Sequence, residues 1–181
     1  MINQIYLEKI EEIKNAFKAN KDFPSIQLHN FLTGFEEMKN KITRLKFQKE
    51  INLLHHRLSR AEIELELLKF AEFLSKTLNK KIKKTKFTAY KLEWKEFMIL
   101  NDDYVEKPGI DVIIDLTENW NQEAGGQIVY TSGSGESHTI PVLKNSLTIV
   151  ERKKGVQKFF KYINNLAKNN ERLFLIYSTG L

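Results

Sequence analysis

The stretch that decides the fold runs over residues 110–128 and reads IDVIIDLTENWNQEAGGQI. Its first seven residues are mainly Ile, Val and Leu, which is typical of a buried strand. A polar segment containing Trp120 follows, and Gly125-Gly126 then leads into a second apolar segment. Glycines at such a place allow a positive φ or a close approach of another backbone. The stretch therefore predicts a strand, a structured turn and a second strand.

Six further segments in the second half of the chain share this character. They are rich in Ile, Val, Phe, Tyr and Thr, and turn-forming residues separate most of them. Short strands at a spacing of roughly 8–12 residues are typical of a β-sandwich or a barrel. The eight predicted strands are 87–94, 96–101, 110–116, 127–131, 138–142, 146–150, 156–163 and 172–178.

The first 86 residues follow a different pattern. Apolar residues recur there at three- and four-residue spacing, which is typical of amphipathic helices. The clearest stripe contains Ile63, Leu67, Phe70, Leu74 and Leu78. We predict helices over 2–19, 35–45 and 60–79, a short strand near 26–32 and a lysine-rich connector at 80–86.

Helices followed by strands predict an α+β fold in which helices brace one face of a sheet. A length of 181 residues suits a single domain with a sizeable core. We expect residues 1–86 to form a mainly helical support and residues 87–181 to form the strand core.

The composition excludes several classes of protein. The chain has no cysteine, so disulfides and thiolate metal sites are excluded. No apolar run approaches the roughly 20 residues that span a bilayer, and the N-terminus lacks a signal-peptide pattern. We therefore predict a cytoplasmic protein with no membrane partner.

The net charge is +6, and lysines and arginines concentrate in 80–86 and 152–161. Such a balance is compatible with an acidic or RNA-containing partner. A general bias towards Lys, Asn and Ile is the favoured explanation, and a functional basic patch stays open as the alternative.

Four stretches together resemble one known family. They are 23–32 (FPSIQLHNFL), 110–128, Ile140-Pro141 with 145–150 (NSLTIV), and 171–176 (ERLFLI). In order and spacing they are similar to the prolyl-hydroxylase-like branch of the 2-oxoglutarate/Fe(II) oxygenases. The resemblance implies a double-stranded β-helix, a jelly-roll-like barrel of eight strands with N-terminal helices packed on its larger sheet. The independent count of eight strands agrees with this expectation.

The resemblance also implies a site. In that family two histidines and one carboxylate hold Fe(II), and an arginine on the last strand pairs with the far carboxylate of 2-oxoglutarate. Carried over by position, the first histidine corresponds to Asn101, the carboxylate to Asp103, the second histidine to Lys154 and the arginine to Arg172. The iron site is then degenerate, and Asp103 is the one expected ligand that is kept.

The replacements do not suit a metal. An amide is a weak ligand for Fe(II), and a protonated lysine has no lone pair to donate. We therefore expect Lys154 to occupy the position of the metal and to pair with Asp103, and we assign no residue a catalytic role. Arg172 is a candidate for binding 2-oxoglutarate or another anion, and the alternative is a strand arginine paired with Glu171 or the sheet edge.

The chain has four histidines that are possible replacement ligands: His29, His55, His56 and His138. Local hydrogen bonding at or near the surface is the expected role of each. No histidine lies in 97–107 or 150–160, where a shifted alignment would need one.

Three functions follow from these expectations. The first is a non-catalytic member of the family, without a cofactor, that acts as a scaffold for a protein or peptide partner. The second is an active 2-oxoglutarate-dependent oxygenase that uses Fe(II) in an atypical site to hydroxylate a protein side chain such as proline. The third is a nucleic-acid-binding module, which is less favoured because aromatic residues are not interleaved with the basic ones.

Overall fold

The structure is a computed structural model that describes residues 2–19, 21, 23–65, 69–82, 86–100 and 107–180. The helices within these ranges are α1 (Gln4–Glu8), α2 (Ile10–Ala19), α3 (Phe35–Thr43) and α4 (Phe70–Leu78). The strands are β1 (Ser25–Leu28), β2 (Gln48–Asn52), β3 (His56–Glu64), β4 (Lys86–Leu92), β5 (Phe97–Met98), β6 (Gly109–Asp115), β7 (Ile128–Thr131), β8 (Ser137–Ile140), β9 (Ser146–Arg152), β10 (Gln157–Phe160) and β11 (Arg172–Gly180). None of the helices in these ranges has the length and apolar character needed to cross a membrane.

The strands form one antiparallel sheet that folds over on itself. Its order is β1-β9-β6-β11-β4-β3-β5-β10-β7-β8, with β2 paired to the side of β3. Strand β3 connects the two halves, because Ser59–Glu64 pairs with β4 while His56 and Arg57 pair with β5. Side chains from both halves share one buried cluster, so the halves face each other. The architecture is the predicted double-stranded β-helix with α+β content.

Two apolar layers hold the barrel together, one inside it and one beneath the helices. Strand β6 is buried along its whole length because its alternate residues serve both layers. Val112 and Ile114 pack with helix residues such as Phe17, whereas Ile113 packs with Phe174 inside the barrel. The run of apolar residues that predicted a buried strand thus corresponds to a strand covered on both faces.

All eight strands predicted in the second half of the chain are present. The helix predicted at 2–19 is found as α1 and α2, which are separated at Lys9, and the helix predicted at 35–45 is found as α3. The strand near 26–32 is shorter than predicted and ends at Leu28.

The helix predicted at 60–79 is wrong over its first half. Residues 56–64 form β3, and α4 covers only Phe70–Leu78. The hairpin of β2 and β3 was not predicted at all. β3 pairs with β2 on one side and with β4 on the other. The backbone hydrogen bonds along both edges outweigh the helical preference that the spacing of the apolar residues suggested. The first 86 residues therefore contribute β1, β2 and β3 to the sheet as well as the supporting helices.

Candidate functional site

Asn145 joins three of the four stretches that carry the family resemblance. Its side chain accepts from the backbone N–H of Leu32 at 2.9 Å and donates to the carbonyl of Leu32 at 2.9 Å. Its backbone carbonyl accepts from Phe31, and its N–H donates to the carbonyl of Asp115. These residues belong to the stretches 23–32, 110–128 and 145–150, so part of the resemblance reflects a structural junction.

Arg172 joins the last stretch to the second one, inside the barrel. Its guanidinium is fully buried, and Nη1 donates to Asp115 Oδ1 at 2.7 Å and to Thr117 Oγ1 at 2.5 Å. Nε donates to the carbonyl of Gly126 at 3.3 Å, while Nη2 has no hydrogen-bond partner among the described residues. Glu171 pairs instead with Lys91 at 2.6 Å. The charge of Arg172 is therefore balanced by a carboxylate of the chain itself.

Asp115 is held by more than this ion pair. Its carboxylate also accepts from the backbone N–H groups of Thr117 at 3.0 Å and Leu143 at 3.2 Å. Burial raises the pKa of Asp115 above its ordinary value, although Arg172 and the hydrogen bonds act in the opposite direction. We call the group of Asp115, Thr117, Gly126 and Arg172 the Arg172 end of the barrel.

The two glycines of the resemblance lie at this end. Gly125 and Gly126 have φ of +86° and +74°. A Cβ at Gly125 would lie 2.0 Å from the carbonyl oxygen of Tyr162, which leaves no room for a side chain. Trp120 donates from Nε1 to the carbonyl of Gly125 at 2.9 Å. Both expected reasons for the glycines, a positive φ and a close backbone approach, are confirmed at Gly125.

Three aromatic rings fill the interior next to Arg172. The ring centroids of Tyr90, Phe160 and Phe174 are 5.1–5.2 Å apart in all three pairs. The guanidinium carbon of Arg172 lies 4.6 Å from the centroid of Phe174. The ring of Phe174 thus lies against the guanidinium, and Tyr90 and Phe160 pack against that ring.

A second buried aspartate lies at the opposite end of β6. Asp111 is fully buried, with Arg152 Nε 3.0 Å from Oδ1 and Lys158 Nζ 3.0 Å from Oδ2. Tyr130 donates to Oδ2 at 2.9 Å, and Ser178 donates to Oδ1 at 2.6 Å. Burial would raise the pKa of Asp111, but the two cations and these hydrogen bonds outweigh it and hold the pKa below its ordinary value.

A cleft of about 480 Å³ opens beside this cluster. Its apolar lining includes Tyr90, Met98 and Ile99. Its polar lining consists of Glu50, His55, His56, Arg60, Gln157, Lys158 and Ser178. We call this cleft, with the cluster around Asp111, the cleft end of the barrel.

The charges that line the cleft are partly paired. Glu50 accepts from Arg60 at 2.7 Å and lies 3.9 Å from His56 Nε2. Lys158 is nearly buried, and Asp111 lies behind it. Arg60 is about half exposed, with 48% of its side chain accessible, so its charge reaches the solvent in the cleft.

Two of the predicted metal-site residues, Asn101 and Asp103, lie outside the described residues. Lys154 is exposed in the turn between β9 and β10. The lysine that enters the barrel is Lys158, four residues further on. The exposure of Lys154 argues against a buried pair with Asp103, and that pairing stays a prediction.

The described residues do not by themselves form an iron centre with its co-substrate. Within the described ranges there is no group of three His, Asp or Glu side chains placed to hold a metal ion. Asp111 already has two cations and two hydroxyl donors around it, and Arg172 is bound to Asp115. Lys158 places an ammonium in the barrel, which disfavours a divalent cation nearby.

The four histidines have different roles. His55 and His56 line the cleft, and the Nδ1 atom of His55 is buried without a hydrogen-bond partner in the described part of the chain. His138 lies 3.0 Å from Ser25 Oγ, and burial lowers its pKa. His29 is exposed. Only the adjacent pair therefore lies where a ligand of the cleft would contact it.

Sequence reasoning missed the residues that form the cleft end: Glu50, Arg60, Asp111, Arg152 and Lys158. One signal was present, because Asp111 and Asp115 interrupt a strand that is otherwise apolar and lie four residues apart on one face. Two carboxylates inside a buried strand require cationic partners. Which cationic side chains become these partners depends on how distant strands pair in the sheet.

No family model matches this chain, and no curated protein matches it in sequence. Solved structures do match it in fold. A prolyl-4-hydroxylase from Pseudomonas putida superposes with a TM-score of 0.69 at 12% identity, covering 95% of this chain and 99% of that one.

A prolyl hydroxylase from Trichoplax adhaerens, solved in complex with a peptide fragment of the hypoxia-inducible factor oxygen degradation domain, also gives 0.69, at 15% identity over 97% and 93% of the two chains. An oxidoreductase of the 2-oxoglutarate–Fe(II) oxygenase family from Burkholderia pseudomallei gives 0.63, at 11% identity over 96% and 88%. At such identities the likeness shows the fold, which is the double-stranded β-helix of these oxygenases.

Proposed function

We propose that this chain is a non-catalytic relative of the prolyl-hydroxylase-like oxygenases that binds a protein or peptide in the cleft. The observation that carries the proposal is the state of Arg172. The residue that the resemblance assigns to 2-oxoglutarate is fully buried and bound to Asp115 and Thr117. A dicarboxylate would have to displace a carboxylate that two backbone N–H donors, those of Thr117 and Leu143, also hold in place.

The interior supports the same conclusion. Phe174 lies against the guanidinium of Arg172, and the rings of Tyr90, Phe160 and Phe174 are in mutual contact. Protein interiors are close-packed, so admitting a ligand there would require at least one ring to move. At the cleft end, Lys158 and Arg152 supply positive charge to Asp111, whereas an enzyme of this chemistry needs ligands for a cation.

A protein or peptide partner is supported by the shape of the site and by a structural neighbour. The cleft lies at the barrel surface and combines polar groups with apolar walls, as ligand sites commonly do. The Trichoplax adhaerens prolyl hydroxylase was solved with a peptide fragment. We infer that a surface of this kind serves here in recognition without chemistry.

One observation favours the alternative, an active oxygenase that hydroxylates a protein side chain such as proline. His55 and His56 lie beside the end of β5, where Ile99 donates to the carbonyl of His55 at 2.8 Å. The chain continues from there to Asn101 and Asp103. This alternative requires Fe(II) and 2-oxoglutarate, with His55 and His56 in place of the two histidines that the resemblance leads one to expect.

Anaerobic titration of the purified protein with Fe(II) and 2-oxoglutarate tests the proposal. We expect no heat of binding for either component and no visible charge-transfer band when both are present. The Pseudomonas putida prolyl-4-hydroxylase is the positive control under the same conditions.

Tight binding with the charge-transfer band would overturn the scaffold proposal. Loss of that band in a His55→Asn/His56→Asn variant, with retention in a His138→Asn variant, would identify the replacement ligands. Residual heat with 2-oxoglutarate alone that vanishes in Arg172→Met would show instead that Arg172 still receives an anion.

A further inference from the structure

Strand β2 forms an outer edge of the sheet. It pairs with β3, whose other side pairs with β4 and β5. The second side of β2 has no strand partner in the described part of the chain. Every residue of β2 except Glu50 is exposed. An edge of this kind presents backbone N–H and C=O groups with which another strand can pair.

The charged side chains of this edge are held within their own chain. Edge strands commonly carry charged residues that another strand would have to bury, and these residues discourage pairing. In β2, Lys49 Nζ lies 3.4 Å from the buried carboxylate of Glu96, and Glu50 accepts from Arg60 at 2.7 Å. An added strand would therefore leave each of the two charges with its partner.

The same edge carries apolar side chains where polar ones are usual. Ile51 is 56% exposed, and Leu53 and Leu54 in the turn after β2 are 84% and 74% exposed. Asn52 fixes this turn, because its side chain accepts from the N–H of Leu54 at 3.1 Å and its carbonyl accepts from that of His55 at 3.0 Å. Neighbouring exposed aliphatic side chains beside an open strand edge are typical of an interaction surface.

The sequence of β2 is complementary to itself in one register. Two identical antiparallel strands are related by a two-fold axis, at which one residue faces the same residue of the second copy. An axis at Lys49 or at Glu50 places like charges directly opposite each other, which is destabilising. An axis at either end of β2 pairs only the terminal residue of the strand. An axis at Ile51 places Ile51 opposite itself, Glu50 opposite Asn52 and Lys49 opposite Leu53, so no like charges face each other.

We propose that two copies of this chain associate by antiparallel pairing of their β2 strands, with Ile51 at the two-fold axis. The new backbone hydrogen bonds satisfy the open edge, and the aliphatic side chains of Ile51, Leu53 and Leu54 lose contact with water. The paired segment is short, so we expect a transient dimer with a dissociation constant of about 10–100 µM.

This dimer has a consequence for the cleft. The two-fold axis is perpendicular to the joined strands, so each face of the sheet continues from one copy into the other. Glu50 lies on the face that lines the cleft, and Ile51 lies on the opposite face. The clefts of the two copies therefore open on the same side of the joined sheet, where two ligands could be held next to each other.

Sedimentation velocity of the full chain between about 1 and 200 µM tests the proposal, and we expect a reversible equilibrium of monomer and dimer. Ile51→Lys places two ammonium groups opposite each other and should weaken the dimer by at least about tenfold. Leu53→Ser/Leu54→Ser should weaken it by about fivefold to tenfold.

Ile5→Lys is the matched control, since Ile5 is an aliphatic residue of α1 that is 47% exposed and lies outside the hairpin. It should dimerise as the unmodified protein does. Thermal unfolding at about 1 µM, where the monomer predominates, should be alike for all variants, because each changed side chain is exposed.

A single cysteine tests the register directly, because the chain contains no cysteine of its own. Ile51→Cys places two thiols at the axis, where facing residues of antiparallel strands have Cβ atoms about 4.5–5.5 Å apart. Under mild oxidation we expect it to form a covalent dimer at least about tenfold faster than Ile5→Cys, whose thiol is exposed but meets another copy only by collision.

A monomer at every concentration would overturn the inference. A dimer of unchanged affinity in Ile51→Lys would do the same, since its interface would lie elsewhere. A dimer that depends on Leu53 and Leu54 alone, with equal oxidation rates for Ile51→Cys and Ile5→Cys, would assign the association to the turns and reject the strand pairing. The metal titration decides the scaffold proposal separately.

Discussion

Two buried aspartates on β6, four residues apart and both directed into the barrel, have opposite surroundings. Asp115 meets one cation, Arg172, and burial raises its pKa. Asp111 meets two cations and two hydroxyl donors, and its pKa is lowered. At the Arg172 end the charges balance within a packed interior. At the cleft end the charged cluster lies beside an open cleft, so the two ends of one strand have a packed and a solvent-facing environment.

The largest effect is expected from removing the carboxylate at the Arg172 end. Asp115→Ala leaves the buried guanidinium of Arg172 without a counter-charge, and loss of one partner from a buried ion pair costs about 3–5 kcal/mol. Urea denaturation at pH 7 measures this loss in the free energy of unfolding.

A double variant separates charge from packing at this site. Asp115→Leu/Arg172→Met replaces the pair by apolar side chains of similar size, which is often neutral or stabilising. We expect it to be clearly more stable than Asp115→Ala. A double variant as unstable as the single one would show that the polar contacts to Thr117 and Gly126, more than the ion pair, hold this end together.

Glycine substitutions compare the two ends by backbone geometry. Gly125 at the Arg172 end and Gly155 in the β9–β10 turn both have positive φ, but only Gly125 lacks room for a Cβ. Alanine in the left-handed region costs about 1–2 kcal/mol, and overpacking adds about 1–3 kcal/mol. Thermal and urea unfolding should therefore show a larger loss for Gly125→Ala than for Gly155→Ala. Equal losses would mean that the segment around Tyr162 can move aside.

The two ends of the barrel also differ in how their aspartates make the stability depend on pH. Its folded-state pKa lies below the unfolded value of about 3.9, so its ionisation stabilises the fold above that pH. That contribution is lost as the pH falls through the folded-state pKa. We expect Asp111→Asn to be less stable than the unmodified protein by about 1–3 kcal/mol at pH 7, with a gap that closes in acid.

The contribution of Asp115 to stability depends on pH in the opposite direction. Its folded-state pKa is raised, so the stability that it contributes is present at low pH and is lost as the pH rises through that pKa. Urea unfolding of Asp111→Asn and Asp115→Asn across a pH series checks both signs. Parallel pH profiles for the two variants would contradict the contrast between the ends.

The smallest effect is expected at Lys154. The residue is exposed in a turn, so Lys154→Ala should change the free energy of unfolding by less than about 0.5 kcal/mol. Lys158→Ala removes a partner of buried Asp111 and should cost about 1–3 kcal/mol in the same urea assay. A large loss for Lys154→Ala would restore the pairing with Asp103 that the resemblance suggests.

Much of the fold could be predicted because local patterns and tertiary pairing agree there. The alternation and turn residues of the second half predict strands, and each predicted strand finds a partner in the sheet. The local pattern and the tertiary pairing disagree at 56–64. Part of this segment has apolar residues at helical spacing, yet it forms a strand that pairs with neighbours on both sides. The exposed residues of β2 gave little strand signal, because an edge strand carries few apolar side chains.

The site was less predictable than the fold. The resemblance identified Arg172, but its partner Asp115 lies 57 positions earlier and becomes adjacent only through the pairing of β6 with β11. Lys154 and Lys158 are four residues apart in the sequence. Their spacing alone could not decide which of them enters the barrel. The role of Asp111 depends on residues from β7, β9, β10 and β11 at once.

The position of β11 also has a consequence for biosynthesis. This final strand lies in the middle of the larger sheet, between β6 and β4. It begins roughly 80 residues after β4 ends, so at about 5–20 residues per second β4 waits roughly 4–16 s for its partner during translation. The nascent chain therefore carries the unpaired edges of β4 and β6 for seconds, a period in which these edges are open to pairing with other chains.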